Sequence, residues 1–470
     1  MKLRRILLLS ACALWFATSH AQDNPGAHSP KPHLVKMEKA YKFRVSFSDK
    51  KNCGFSVKHP EQFLSPKSIE RRKKYGLKVD EFDLPITPTY LQALRDRGLK
   101  IHNWSKWNNS AVVETTDSAL VVSLKELSFV KDVRCVWVAP DSLPVKPVKK
   151  NRRERVTNLR DTTDHFYGHA KMQIEMLGVD RLHAKGFHGE GITIAVIDGG
   201  FYNADALEGL KDAKILGTRN FVHPRKSVYE ELSHGTNVLA CIAANIPYFL
   251  VGTAPEAEFY LLVSEDGETE QLVEEDNWCA AVEYADSLGV DLITSSLGYY
   301  TFDNDYMSHK YFELDGKTAA NSKVASLAAS RGILLLNSAG NSGDDRWKKI
   351  GFPADAPDIL TVGAVDSLRT NTNFSSLGHS ADGRVKPDVM AMGQAAATLE
   401  TDGTLDKVNG TSFSTPIMCG AVACLVQAFP KKKPVDIIRA VCQSGDNAAR
   451  PDNVFGYGIP DFVKAFELLE

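Results

Sequence analysis

Gly191-Ile192-Thr193-Ile194-Ala195-Val196-Ile197-Asp198 is an unbroken apolar run that closes on a carboxylate and is followed at once by Gly199-Gly200. Such a run is short for a helix, rich in β-branched residues and free of polar alternation, so it predicts a strand over 193–197 buried on both faces. The same signature recurs at 258–263, 291–294, 333–336 and 359–362, with helical composition between the runs at 237–244, 277–288 and 318–330. Strands and helices alternating through 173–470 predict an α/β unit, a doubly wound, mostly parallel sheet with helices on both faces. In such sheets sites collect beyond the carboxyl ends of strands, which is where Asp198 and its two glycines fall.

The chain has 470 residues, too many for one ordinary domain. Hydrophobic residues at 43% and charged ones at 24% exclude a disordered, collagenous or membrane-embedded protein. Fifty-six basic against 58 acidic residues leave a formal charge of −2, so no overall field favours nucleic acid. Eight cysteines are too few for a disulfide scaffold.

Outside the α/β unit four segments are expected. Residues 1–21 read as a signal peptide: Lys2, Arg4 and Arg5, an apolar run too short to stay as a membrane span, then Ser19-His20-Ala21 before a cleavage point near Gln22. Leu9-Ser10-Ala11-Cys12 offers an alternative, a lipid anchor through Cys12; either way the protein is secreted or periplasmic. Residues 22–39 are a polar lead-in. Residues 40–142 form a small α+β module, with strands expected at 41–48, 110–115 and 129–138 and helices at 89–98 and 121–127. Within it Arg71-Arg72-Lys73-Lys74 reads as a solvated helix face rather than a nucleic-acid patch. Residues 143–172, rich in Pro, Lys and Arg at their start, form an exposed linker. No later segment approaches 18 continuous apolar residues, so no stable membrane span is expected.

The chemistry is concentrated at three element ends. Asn409-Gly410-Thr411-Ser412-Phe413-Ser414-Thr415-Pro416 precedes a long apolar helix expected over 416–429, which sets the Ser412 hydroxyl near free backbone N–H groups. A serine alone is a weak nucleophile and needs a base, and an isolated Ser412 would be read as a helix cap. His234-Gly235-Thr236 opens another helical segment, and Asp198 ends a strand from which a carboxylate can fix a histidine's tautomer.

AVIDGG around Asp198, HGT at His234, SSLG ending at Gly298, NSAGNSG around Asn341 and NGTSFSTP around Ser412 resemble, in order, the motifs of the subtilisin-like serine proteases. That resemblance covers about 173–461 and implies a serine endopeptidase. Ser412 would be the nucleophile, His234 its general base and Asp198 the group that orients the histidine. It gives Asn341 as the oxyanion donor, with the Ser412 backbone N–H as its partner. Ser296-Leu297-Gly298 would pair with the substrate strand, and Ser338-Ala339-Gly340 would form the opposite wall of the specificity pocket. Many members carry a second histidine three residues after the first; Asn237 stands there instead. The N-terminal module resembles the propeptides of secreted Bacteroidetes subtilases. This implies a zymogen whose propeptide inhibits it until cleavage between Val145 and Gly168, around the basic run from Lys149 to Arg155.

The expected partners are therefore protein or peptide substrates and the chain's own propeptide, with no nucleic acid and no stable membrane span. No cofactor is required for catalysis and no metal site is assigned. Structural calcium is possible, with Glu265-Asp266-Gly267-Glu268 and Asp303-Asn304-Asp305 as compositional candidates only. The cysteines beyond Cys12 are expected as buried free thiols. The sequon at Asn409 belongs to the serine motif and is not read as a glycan site. A binding protein on a dead protease scaffold and a transpeptidase on the same fold are the competing functions; the first would lack a triad residue or oxyanion donor, and none is missing.

Overall fold

The computed structural model describes residues 34–144 and 162–470. The expected signal peptide, Cys12 and the basic run from Lys149 to Arg155 lie outside the described residues.

The first part is a four-stranded antiparallel sheet with helices. Its strands are β1 (Tyr41–Phe47), β2 (Lys100–Ser105), β3 (Ser110–Thr115) and β4 (Val130–Val138), in the spatial order β2-β3-β1-β4. Helices α1 (Pro66–Lys74), α2 (Pro88–Arg95) and α3 (Leu120–Lys125) accompany it. Phe43, Val45 and Phe47 alternate inward from β1 onto Leu94, Leu124 and Val133. A short strand at Leu34–Lys36 pairs antiparallel with Ser142–Pro144, so the start and end of this part lie side by side.

The second part is a seven-stranded, all-parallel sheet. In chain order its strands are β5 (Thr193–Asp198), β6 (Lys214–Asn220), β7 (Glu258–Val263), β8 (Leu292–Ser295), β9 (Leu334–Ser338), β10 (Leu360–Val365) and β11 (Val389–Met392). In space they run β11-β10-β9-β8-β5-β7-β6. All six residues of β5 are buried. Ile194 and Val196 face one core with helices α4 (His234–Ala243) and α7 (Thr411–Ala428). Ala195 and Ile197 face the other with α5 (Val273–Leu288) and α6 (Ala320–Ser330). Because every pairing is parallel, the carboxyl ends of β5, β7, β8 and β9 open on the same edge of the sheet.

The expected strands and helices are all found, most displaced by a residue or two, but several strands were missed, among them Lys100–Ser105 of the small sheet and two of the large one. Lys214–Asn220 is a polar edge strand interrupted by Gly217, and Val389–Met392 is four residues long just after Pro387; neither carries enough apolar periodicity to stand out. Helix α5 begins at Val273, earlier than its apolar spacing implied, because Glu274, Glu275 and Asp276 of its first turn are buried rather than solvated. Helix α7 is long and apolar enough to cross a membrane by composition, yet 89% of it is buried as the core helix of this domain. The seven described cysteines are free thiols, all but Cys135 buried.

The small domain docks on α5 and α6. Trp107, Val112 and Val136 complete the core cluster of that face. Around them runs a set of charge contacts that corrects the reading of the basic cluster: Arg71 and Arg72 are buried, not solvated. Both converge on Asp286 of α5, which is itself fully buried, and Lys106 Nζ joins them at 3.2 Å. In the reverse sense Arg331 reaches Asp80 and Asp83 of the small domain. The Arg44 guanidinium grips Asp276 through two bonds of 2.6 and 2.8 Å. These partners lie 180 to 215 residues away in sequence for Asp286 and 232 for Arg44, so local composition could not reveal them.

Candidate active site

Asp198 ends β5 with no solvent exposure. Its Oδ1 accepts the N–H of Gly199 at 2.8 Å and lies 2.9 Å from Nδ1 of His234, with Oδ2 at 3.1 Å. A carboxylate can only accept, so Nδ1 carries a proton and Nε2 is left facing outward. The approach is close because two glycines permit it. A Cβ on Gly235 would sit 2.5 Å from the Gly200 carbonyl and 3.0 Å from Asp198 Cβ, and one on Gly200 would sit 2.3 Å from the Leu232 nitrogen. Burial works to lower the pKa of His234, but the charge and hydrogen bond of Asp198, with the charge of Glu265, outweigh it and raise it to about 9. The imidazole keeps 37% of its side-chain surface exposed.

Ser412 is the second residue of α7, whose N-cap is Gly410 at φ 152°, ψ 151°, a conformation that favours glycine. The helix therefore starts before Pro416, earlier than the sequence implied, and Pro416 lies within it. Proline has no N–H to give to the carbonyl four residues back, which is that of Ser412. That carbonyl instead accepts the hydroxyl of Ser296 at 2.8 Å, which ties α7 to the end of β8. The Ser412 hydroxyl donates to the Ser296 carbonyl at 3.4 Å rather than to His234. The two side chains nevertheless line one cavity, and in resting sites such bonds are often long or unformed.

Asn341, just beyond β9, is held from one side only. Its Oδ1 accepts both the backbone N–H and the hydroxyl of Thr411, each at 2.9 Å. With the oxygen so fixed, Nδ2 must point the other way, past Gly410. Neither Nδ2 nor the backbone N–H of Ser412 has an acceptor among the described residues, so two donors are presented at the start of α7. Thr411 was visible in the sequence as a motif letter, but its function as the anchor of Asn341 was not.

The cavity has a volume of about 320 Å³. Ser296, Leu297 and Gly298 form one side, and Ser338, Gly340 and Asn341 another, as expected. Ala339 does not line it. Its N–H donates to the Val362 carbonyl at 2.9 Å and its side chain is fully buried, because successive residues leaving a strand point to opposite faces. Glu265 does line it, beside His234, and had been singled out only as a compositional calcium candidate. Its signal was positional: it stands two residues beyond the end of β7, next to the strand that carries Asp198. Asn237 is buried, and its Nδ2 donates at 2.7 Å to the Leu399 carbonyl, so it is a structural tie behind the histidine. Among the described residues no three His, Cys, Asp or Glu side chains gather as metal ligands.

Comparison with known proteins agrees with this fold. The subtilase family model of peptidase family S8 matches residues 189–458, and the Bacteroidota S8 propeptide domain matches 42–155. Subtilisin NAT of Bacillus subtilis subsp. natto is 30% identical over 66% of this chain and 76% of its own length. Serine protease AprX of Bacillus subtilis (strain 168) is 28% identical over 57% of this chain and 65% of its own. Among solved structures, MycP1 with its N-terminal propeptide removed shares the fold at a TM-score of 0.51 and 23% identity, covering 63% of this chain and 96% of that one.

Proposed function

Because this chain belongs to the subtilase family, we propose that Asp198, His234 and Ser412 are its catalytic triad. With a propeptide domain ahead of the protease domain, the protein is a subtilisin-like serine endopeptidase made as a zymogen. The observation that carries the residue assignment is the Asp198–His234 pair opening into the same cavity as Ser412 and the anchored amide of Asn341.

For reaction the Ser412 hydroxyl leaves the Ser296 carbonyl and donates to His234 Nε2 across the cavity that both line. Oγ attacks the scissile carbonyl while Nε2 takes its proton and then passes it to the leaving amine. Asp198 holds the tautomer and stabilises the imidazolium. Asn341 Nδ2 and the Ser412 N–H receive the oxyanion, where charge develops against donors already oriented by Thr411 and by the helix start. Water then releases the acyl group and regenerates the enzyme. The segment at Ser296, Leu297 and Gly298 takes the substrate as an added strand. The propeptide, docked on α5 and α6, blocks the enzyme until it is removed. The basic and then apolar start of the chain supports action outside the cytoplasm.

The test is the mass of the purified precursor over time, wild type beside Ser412→Ala, with casein hydrolysis measured on both. Loss of an N-terminal piece of about 15 kDa and casein digestion in the wild type alone is the expected result. Equal trimming of both proteins, with equal casein hydrolysis, contradicts the assignment of Ser412.

A further inference from the structure

On leaving β7 at Val263 the chain donates the Ser264 N–H to the Asp198 carbonyl at 3.0 Å and turns along the rim of the cavity. Glu265 is the first side chain on that rim. A methyl placed on Gly199 would stand 3.7 Å from its carboxyl carbon, so the carboxyl group lies against the glycine that follows Asp198. No hydrogen bond or ion pair reaches this carboxyl group among the described residues. Among the described residues the cation that acts on it is His234; its other charged neighbours, Asp198 and Asp266, are acidic.

The rim is rigid. Glu274, buried in the first turn of α5, accepts the Asp266 N–H at 2.7 Å and the Gln271 N–H at 3.3 Å, which fixes the loop between them. It is also a place where polypeptide already lies. Gln271 grips Val138 at the end of β4 on both sides, accepting its N–H at 2.8 Å and donating to its carbonyl at 2.9 Å. Polypeptide leaving β4 at Val138 therefore lies beside this acidic rim. The propeptide's own sequence beyond Pro144 suits it: six of the ten residues from Lys146 to Arg155 are Lys or Arg and one is acidic.

We propose that Glu265 is a specificity-determining residue that pairs with a lysine or arginine side chain of the substrate on the N-terminal side of the scissile bond. This rests on the protease reading of the same cavity. A carboxylate held partly out of water and opposed only by the histidine that Asp198 already holds is costly, and a substrate cation supplies a countercharge of its own. Burial, and after it the neighbouring carboxylates, push Glu265 up to about 7 against the opposing charge of His234, and push Glu270 up to about 8.

The experiment uses the mature enzyme released from the full-length precursor and pairs of fluorogenic peptides. Each pair differs only in lysine against norleucine at one position before the scissile bond, with a glutamate peptide alongside, and kcat/KM is measured for wild type, Glu265→Gln and Glu265→Arg. Wild type favours lysine by about tenfold or more at one position. Glu265→Gln brings that ratio near one, and Glu265→Arg shifts the preference to a glutamate peptide. Each ratio compares two peptides on one enzyme, so any general loss of activity in a variant cancels. A wild-type ratio near one at every position, or the same lysine preference in Glu265→Gln, overturns the inference. In either case hydrolysis of the norleucine peptides leaves the protease reading standing. If the wild type cleaves no peptide and a fluorophosphonate leaves Ser412 unlabelled, the protease reading fails and the inference falls with it.

Discussion

Replacing Arg71 with methionine should free the protease from its propeptide without altering the mature enzyme. Arg71 is 3% exposed at its side chain and spends its donors wholly on the protease domain: on the Asp286 carboxylate, on the Val290 carbonyl at 2.8 Å and on the Arg331 carbonyl at 3.1 Å. Methionine keeps the length and apolar stem but removes the charge. The Asp286 carboxylate then retains only Arg72 and Lys106, and the carbonyls of Val290, Arg331 and Asp286 each lose a donor. Removing one partner of a buried ion pair costs about 3–5 kcal/mol, equivalent to about two to nearly four orders of magnitude in affinity. Because Arg71 leaves with the propeptide, the released protease is chemically identical in both preparations and serves as its own control. The assay is serial dilution of the processed, non-covalent complex, with peptide hydrolysis reporting the free enzyme. Half-release should occur at a concentration at least a hundredfold higher in the Arg71→Met protein. A shift of less than about fivefold would refute the claim that this buried charge cluster holds the propeptide, and would leave the apolar contacts of Trp107 and Val136 as the main attachment.

Three further outcomes are expected. Asn341→Ala should lower kcat by about 10²–10³ with little change in KM, whereas Thr411→Val, which removes one of the two bonds to Oδ1, should cost only about three- to tenfold; stopped assays on a short peptide separate them. A charged imidazole cannot accept the Ser412 proton, so with His234 raised to about 9, kcat/KM for an uncharged peptide should climb as pH rises through that value. Loss of the Glu265 charge removes one group that favours the imidazolium, so the climb should move to lower pH in Glu265→Gln, and an unshifted profile would count against the coupling. Gly235→Ala should displace the histidine, because the new Cβ falls 2.5 Å from a backbone oxygen that cannot swing aside; a fall in kcat/KM of about 10² or more with retained circular dichroism is the expected signature.

The catalytic half of this molecule was legible because its strands are buried on both faces. β5 reads as a strand from its letters alone, and the carboxylate that ends it marks the edge of the sheet where the site forms. Lys214–Asn220 was hidden by the opposite property, an edge position that admits Lys, Thr, Arg and Asn. Asp276 in the first turn of α5 and the basic pair Arg71-Arg72 were misleading for one shared reason. Each is charged in sequence and buried in structure, because a counter-charge sits on the other domain. No periodicity within a segment reports a partner over 200 residues away. Ala339 shows a finer limit: the motif places the segment at the wall, but only the pleat decides which side chains of it face the cavity. The start of α7 was misplaced because proline usually opens a helix, whereas here a serine hydroxyl from β8's end takes the carbonyl that Pro416 cannot serve.

The central claim is that His234, held by Asp198, makes Ser412 a nucleophile. It is tested most directly by treating the mature protein with a fluorophosphonate and mapping the adduct by mass spectrometry. One phosphonyl group on Ser412, none in Ser412→Ala and labelling slowed by orders of magnitude in His234→Ala is the predicted result. A Ser412 that stays unmodified while casein is hydrolysed, or one labelled equally fast without the imidazole, would contradict it.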